Sequence, residues 1–171
     1  MRLSKGLADT PYYFSIYSSE GVTGIARSHV PTVKLTSGHR INTTFPNLDC
    51  VFLNAGTQHP VALSKPAEVN LEAFHAEVNT NFTCIVDMTL KFLPHLQAKS
   101  YPTGLVVTGT HLALIPAAAI PAYSASKAAL HSFLYCLRAQ TEKAGSKTKI
   151  IEIWPPLVQC TSPLPPPSPH A

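Results

Sequence analysis

Charge is scarce in this chain. Asp, Glu, Lys and Arg make up 13% of its residues, against 45% apolar, a balance that excludes a disordered, solvating polypeptide. No single sign of charge dominates: the formal net charge is +4, and Lys and Arg are scattered apart from a small group at Lys143, Lys147 and Lys149. That group suits the solvated C-terminal end of a helix. It is no basic stripe of the kind that tracks a phosphate backbone, so nucleic acid is not an expected partner. Cysteines are few and distant; Cys50, Cys84, Cys136 and Cys160 form no CxxC pair, which argues against a disulfide framework or a metal site. The first three read as small core residues. The eight histidines contain no HExxH, so zinc is not expected. Long hydrophobic runs are lacking as well. The longest, Leu112 to Ala122, is interrupted by Pro116 and Pro121 and is too short to span a bilayer. Met1-Arg-Leu-Ser-Lys-Gly6 has no apolar stretch of the signal-peptide kind, and the expectation is a cytoplasmic protein without a membrane partner.

What is present falls into three regions. Residues 1–46 are irregular, with Pro11 to Tyr17 and Val30 to Leu35 as candidate short strands. Residues 47–159 are strongly patterned, and 160–171 form a Pro-rich tail expected to be disordered. In the patterned region Leu48 to Asn54 reads as a strand ending in an Asn-Ala-Gly turn. Glu68 to Gln97 reads as one long helix, with Val69, Ala73, Ala76, Val78, Phe82, Ile85, Val86, Leu90, Leu93 and Leu96 on its apolar stripe and Pro94 bending or closing the last turn. Gly104 to Gly109 is a second buried strand. Ala122 to Lys143 is a second helix, closed by Gly145. Lys149 to Trp154 is a third strand, stopped by Pro155-Pro156. Strand, helix, strand, helix, strand with continuous apolar strands predicts an α/β fold: a parallel sheet with helices on its faces. Right-handed crossovers bring every strand's C-terminal end to one edge, where ligands bind. Asn54, Thr110 and Pro155 fall at such ends, and Tyr123 lies near the start of the helix that follows the second strand.

Tyr123 and Lys127 carry the chemistry. Residues four apart share a helix face. An ammonium held beside a phenol favours the phenolate, so the phenol is expected to ionise nearer neutrality and to exchange a proton with a substrate oxygen.

With their surroundings these residues resemble the short-chain dehydrogenase/reductase family. Asn54-Ala55-Gly56 resembles the family's NAG turn, which supports the sheet beside the adenine-ribose end of the cofactor. Val78-Asn-Thr-Asn81-Phe resembles the helix segment bearing the active-site asparagine. Val106-Val-Thr-Gly-Thr110 stands where the family has its active-site serine strand. Tyr123-Ser-Ala-Ser-Lys127 is similar to YxASK, and Ile153-Trp-Pro-Pro-Leu-Val158 resembles the Pro-Gly segment that packs near the nicotinamide. The resemblance implies hydride transfer between NAD or NADP and a small-molecule carbonyl or secondary alcohol. In that scheme Tyr123 moves the proton, and Lys127 tunes it and holds the nicotinamide ribose. Thr110 orients the substrate oxygen and Asn81 anchors a relay. Asn54, Ala55, Gly56, Pro155 and Val158 join Tyr123 and Lys127 around the cofactor. Asn54 is expected to act mainly by satisfying its own turn. Family members often pair through their two long helices, here 68–97 and 122–143.

The departures define the rest of the expectation. Thr110 replaces serine, keeping the hydroxyl and adding a methyl. Pro156 replaces glycine. None of the eight glycines forms the TGxxxGxG loop whose amides receive a pyrophosphate at a helix N-terminus. Only 53 residues precede Asn54, fewer than the family places there. The predicted architecture is therefore a partial Rossmann-like sheet shortened at both ends, lacking the usual first strand and glycine-rich loop. Its cofactor affinity is expected to fall on the order of 1000-fold, several kcal/mol. The strand Leu48 to Asn54 would become an open edge unless residues 11–35 or a partner chain cover it. The rival expectation is a catalytically silent fragment or interaction module.

Overall fold

The computed structural model describes residues 46–156 and, before them, the backbone of two strands, 14–18 and 21–26. Val30 to Leu35, Val158 and the tail 160–171 lie outside the described residues. The elements in chain order are β1 (Phe14–Ser18), β2 (Gly21–Ala26), β3 (Leu48–Leu53), α1 (Leu71–Val78), α2 (Cys84–Gln97), β4 (Thr103–Thr108), α3 (Pro121–Lys143) and β5 (Thr148–Ile153). They form one five-stranded sheet, in the order β2-β1-β3-β4-β5.

Strands β3, β4 and β5 are parallel, in the register Val51–Leu105–Ile150 and Leu53–Val107–Glu152 across the sheet. The alternation of a pleated strand puts these two rows on one face, and both long helices pack there. Leu48, Val51, Leu53, Leu105, Val107 and Ile150 meet Ile85, Phe92 and Leu96 of α2 and Leu130, Leu134 and Leu137 of α3 in one core. The neighbouring row, Phe52–Val106–Ile151, points the other way; Phe52 and Val106 are half-buried and Ile151 is exposed. Among the described residues both long helices thus flank the parallel strands from the same face.

The edge left open in the sequence reading is covered from within the chain. β1 runs antiparallel along β3, Phe14 opposite Leu53 and Ser18 opposite Leu48, and β2 pairs antiparallel with β1 beyond it. An antiparallel strand satisfies the edge N–H and C=O groups of β3 as fully as a parallel one would.

The single helix expected over 68–97 is divided. Pro66–Glu68 is a 3₁₀ turn. α1 begins after Asn70, whose side chain accepts the Ala73 N–H at 3.0 Å as an N-cap. Between α1 and α2, Asn79–Thr83 is a π-helical turn. Pro94 lies inside α2, which runs on to Gln97. Gly145 closes the α3 end at φ 67, a left-handed conformation that glycine adopts without steric cost. Cys50 and Cys84 are half-buried as expected, whereas Cys136 is exposed on α3. Among the described residues no helix is long and apolar enough to cross a membrane.

Candidate active site

Pro121 opens α3 at its first turn, where a missing N–H costs nothing. Tyr123 follows two residues on and Lys127 one helical turn later. Lys127 is 3% exposed. Its Nζ donates to the Thr108 carbonyl at 2.8 Å, at the tip of β4, and lies 5.8 Å from the Tyr123 ring centroid. Burial pushes its pKa down to about 8, against a smaller upward pull from the charge of Glu152.

The phenol behaves differently from the sequence expectation. Burial pushes the Tyr123 pKa up, a hydrogen bond with the Thr110 side chain pulls it partly back, and the charge of Glu77 adds to the rise. The ammonium that was to acidify it is itself desolvated and engaged with Thr108. Tyr123 therefore keeps its proton at neutral pH. Thr110 is extended, at φ −164 and ψ 153, and its hydroxyl accepts the Leu112 N–H at 3.3 Å to cap the short turn His111–Ala113.

Asn81 is fully buried, turned inward by the π turn; such extra-residue turns often occur at functional sites. Its Nδ2 donates to the Thr57 carbonyl at 2.8 Å and to Ser126 Oγ at 3.1 Å, while Oδ1 accepts the Thr57 N–H at 2.8 Å. Ser126 Oγ in turn donates to the Tyr123 carbonyl at 2.8 Å. Asn81 thus ties the turn after β3 to the first turns of α3. Both of its N–H donors are spent in doing so, leaving a second lone pair of Oδ1. Asn54, given this bracing role in the sequence reading, is exposed; the bonds that hold the turn come from Asn81. Ala55 is buried in the core. Gly56 faces the site: a Cβ there would lie 3.6 Å from Asn81 Oδ1 and 3.7 Å from Lys127 Nζ, so no side chain of its own stands between the backbone and that ammonium. Pro155 is exposed beyond β5.

His111 is exposed and Trp154 half-buried. The indole stands edge-on between the His111 and His131 rings at 5.1 and 5.5 Å. Among the described residues no group of three or more His, Cys, Asp or Glu is placed to hold a metal ion.

Two acids escaped the sequence reading. Glu77 and Glu152 are buried, with side chains 2% and 6% exposed, and each holds a histidine Nδ1 through Oε2, His59 at 2.6 Å and His131 at 2.7 Å. Their signal was the same in both cases: an ionisable residue at an inward position of its pattern. Glu77 is four residues before the buried Asn81, although Ala73, four before it on the expected stripe, is exposed, and Glu152 is two after Ile150 on its strand.

Comparison with known proteins agrees with this arrangement. The short chain dehydrogenase family model matches residues 34–164. The chain is 37% identical over 114 residues to the uncharacterized oxidoreductase DltE of Bacillus subtilis, covering 67% of this chain and 44% of that protein. A short-chain dehydrogenase of Shigella flexneri solved with NADP superposes with a TM-score of 0.59 at 25% identity, over 69% of this chain and 47% of its own. Another, from Burkholderia phymatum with NAD, gives 0.60 at 18% identity, over 70% of this chain and 44% of its own. The chain spans less than half the length of each of these relatives. By its family match, its parallel sheet and the tyrosine, lysine, threonine and asparagine brought together at one strand edge, it belongs to the short chain dehydrogenase family.

Proposed function

We propose that the chain carries the proton-transfer centre of an NAD(P)-dependent oxidoreductase acting on a small carbonyl or secondary alcohol. The observation that carries this reading is the junction of β4 with α3, where Lys127 Nζ is anchored on the Thr108 carbonyl at 2.8 Å and lies 5.8 Å from the Tyr123 ring centroid. A nicotinamide cofactor would supply or accept the hydride. Thr110 would hold the substrate oxygen by its hydroxyl. Tyr123, with its pKa raised, is protonated at neutral pH and donates to a carbonyl oxygen, so reduction is the direction its protonation state serves. Lys127 brings positive charge to that point, and Asn81 keeps the Gly56–Thr57 turn beside it.

The residues present fit the nicotinamide-ribose end of such a cofactor: the backbone at Gly56 approaches Lys127 Nζ without a side chain between them. They fit the pyrophosphate end less well. Beside β3, where the family's glycine loop would follow a parallel first strand, stands the antiparallel β1. That observation favours the rival reading, a catalytically silent member of the fold. Titration with NADH and NADPH, followed by fluorescence and thermal shift, separates the two. Saturable micromolar binding is expected of the oxidoreductase, and no stabilisation at millimolar cofactor would leave the silent module. Tyr123→Phe should lower carbonyl reduction by about 100-fold or more while leaving the melting temperature in place; retained turnover would remove Tyr123 from its role.

A further inference from the structure

Glu77 is the buried residue of α1, and it is an acid. Its Oε2 is held by His59, but Oε1 is shielded from water and has no hydrogen-bond partner among the described residues. Leaving such an oxygen unpaired costs on the order of 1–3 kcal/mol, a penalty an apolar residue at this position would not carry. The oxygen belongs to a side chain lining a cleft of about 230 Å³, whose walls are otherwise largely apolar, among them Pro60, Val61, Val69, Phe74 and Ala122. A cavity of about 150 Å³ holds a benzene ring, so this cleft takes a group of roughly six to ten non-hydrogen atoms. Ala122 immediately precedes Tyr123, which places the cleft next to the proposed reaction centre. Glu68 also lines it, exposed and paired with Lys65 at 3.4 Å, so of the two acids Glu77 is the buried one.

We propose that this cleft is a ligand subsite beside Tyr123, taking an apolar stem that ends in a hydrogen-bond donor, a hydroxyl or an ammonium, which Glu77 Oε1 accepts. The ligand class is therefore a carbonyl or alcohol bearing a second, remote donor group, and carboxylate-tailed molecules are excluded by the two acids. Calling the ligand a substrate rests on the reading of Tyr123 given above; the cleft's selectivity does not.

The test uses the chain without cofactor and three probes of equal length: 1-hexanol, hexylamine (an ammonium at pH 7) and hexanoate. Amide ¹H–¹⁵N shifts of Val61, Ala73 and Phe74 report occupancy. The two donor probes should shift these amides and bind roughly tenfold or more tightly than hexanoate, a difference of about 1.4 kcal/mol. The tighter of the two names the donor class. In Glu77→Gln, nearly the same shape without the charge, the preference over hexanoate should fall to within about threefold. His59→Ala, which frees Oε2 for the ligand, should strengthen hexylammonium binding. Equal binding of all three probes, no shift from any of them, or an unchanged preference in Glu77→Gln would overturn the proposal. Selective binding in a chain without turnover would remove the oxidoreductase reading and keep the subsite; turnover without selectivity would do the reverse.

Discussion

Glu77 and Glu152 form two nearly identical pairs with different surroundings. In each, a buried carboxyl holds a histidine Nδ1 through Oε2 and keeps Oε1 buried without a partner among the described residues. The charge of Glu77 bears on Tyr123 and that of Glu152 on Lys127. The histidines differ. His59 has a side chain 68% exposed at the mouth of a cleft, whereas His131 is 31% exposed and backed by the Trp154 ring. Beside Glu152 the chain also narrows at Gly109, where a Cβ would collide with Glu152 Oε1 and come within 2.6 Å of Trp154 Nε1. The two carboxyls are alike in burial, and the difference lies in the histidines: one stands in solvent beside the cleft and the other is backed by an indole. In both places the carboxylate is an internal charge that keeps a neighbour protonated.

The largest effect should come from breaking the sealed pair. His131→Ala leaves both Glu152 oxygens without a donor in a closed site, and is expected to destabilise the fold by about 2–3 kcal/mol in urea denaturation. A loss below about 1 kcal/mol would show that water reaches Glu152 and that the two sites do not differ.

Next in size is a dependence on pH. Lys127 titrates near pH 8 in the fold and near 10.4 when unfolded. Between these values the unfolded chain binds more protons, so stability should rise with pH from about 8 to about 10, by up to about 3 kcal/mol. Above that window Tyr123 acts in the opposite sense, because its raised pKa delays the ionisation that the unfolded chain undergoes. Glu152→Gln removes the charge that holds the proton on Lys127, so the rise should begin at lower pH. Glu77→Gln should leave that rise in place and instead let Tyr123 ionise at lower pH. Urea midpoints measured from pH 7 upward to beyond tyrosine ionisation, with tyrosinate absorbance beside them, distinguish the two variants; identical shifts would dissolve the division of labour between the acids.

The smallest effect belongs to the open pair. His59→Ala should change stability by less than about 1 kcal/mol, since solvent at the cleft mouth replaces an exposed partner. A larger loss would place Glu77 in a closed site after all.

Much of the scaffold was legible before any coordinates. The apolar runs of β3, β4 and β5 and the helix over 121–143 lie within one or two residues of where periodicity placed them, because burial of a continuous apolar segment leaves few conformations open. Asn70, standing just before the first helical turn, was a readable N-cap that the long-helix reading passed over. The π turn at Asn79–Thr83 was not readable, since its one extra residue steps the phase of the stripe by about 100° at a single place and no residue type marks where. It is nevertheless what turns Asn81 into the protein. The β1–β2 hairpin was only half visible. The run from Pro11 to Tyr17 suggested a strand, but Gly21 to Ala26 is punctuated by two glycines and shows no regular apolar alternation to mark it as one.

Local chemistry, then, determined the fold class, the family and the residues that gather at the sheet edge, because repeated side-chain patterns and short motifs act over a few turns of chain. Tertiary packing alone decided their charge states and their access. Whether a phenol gives up its proton, whether an asparagine is free to relay one, and whether a buried carboxylate meets a ligand or a tryptophan all depend on what distant segments remove from water. That desolvation is a property of the assembled fold and not of neighbours in sequence.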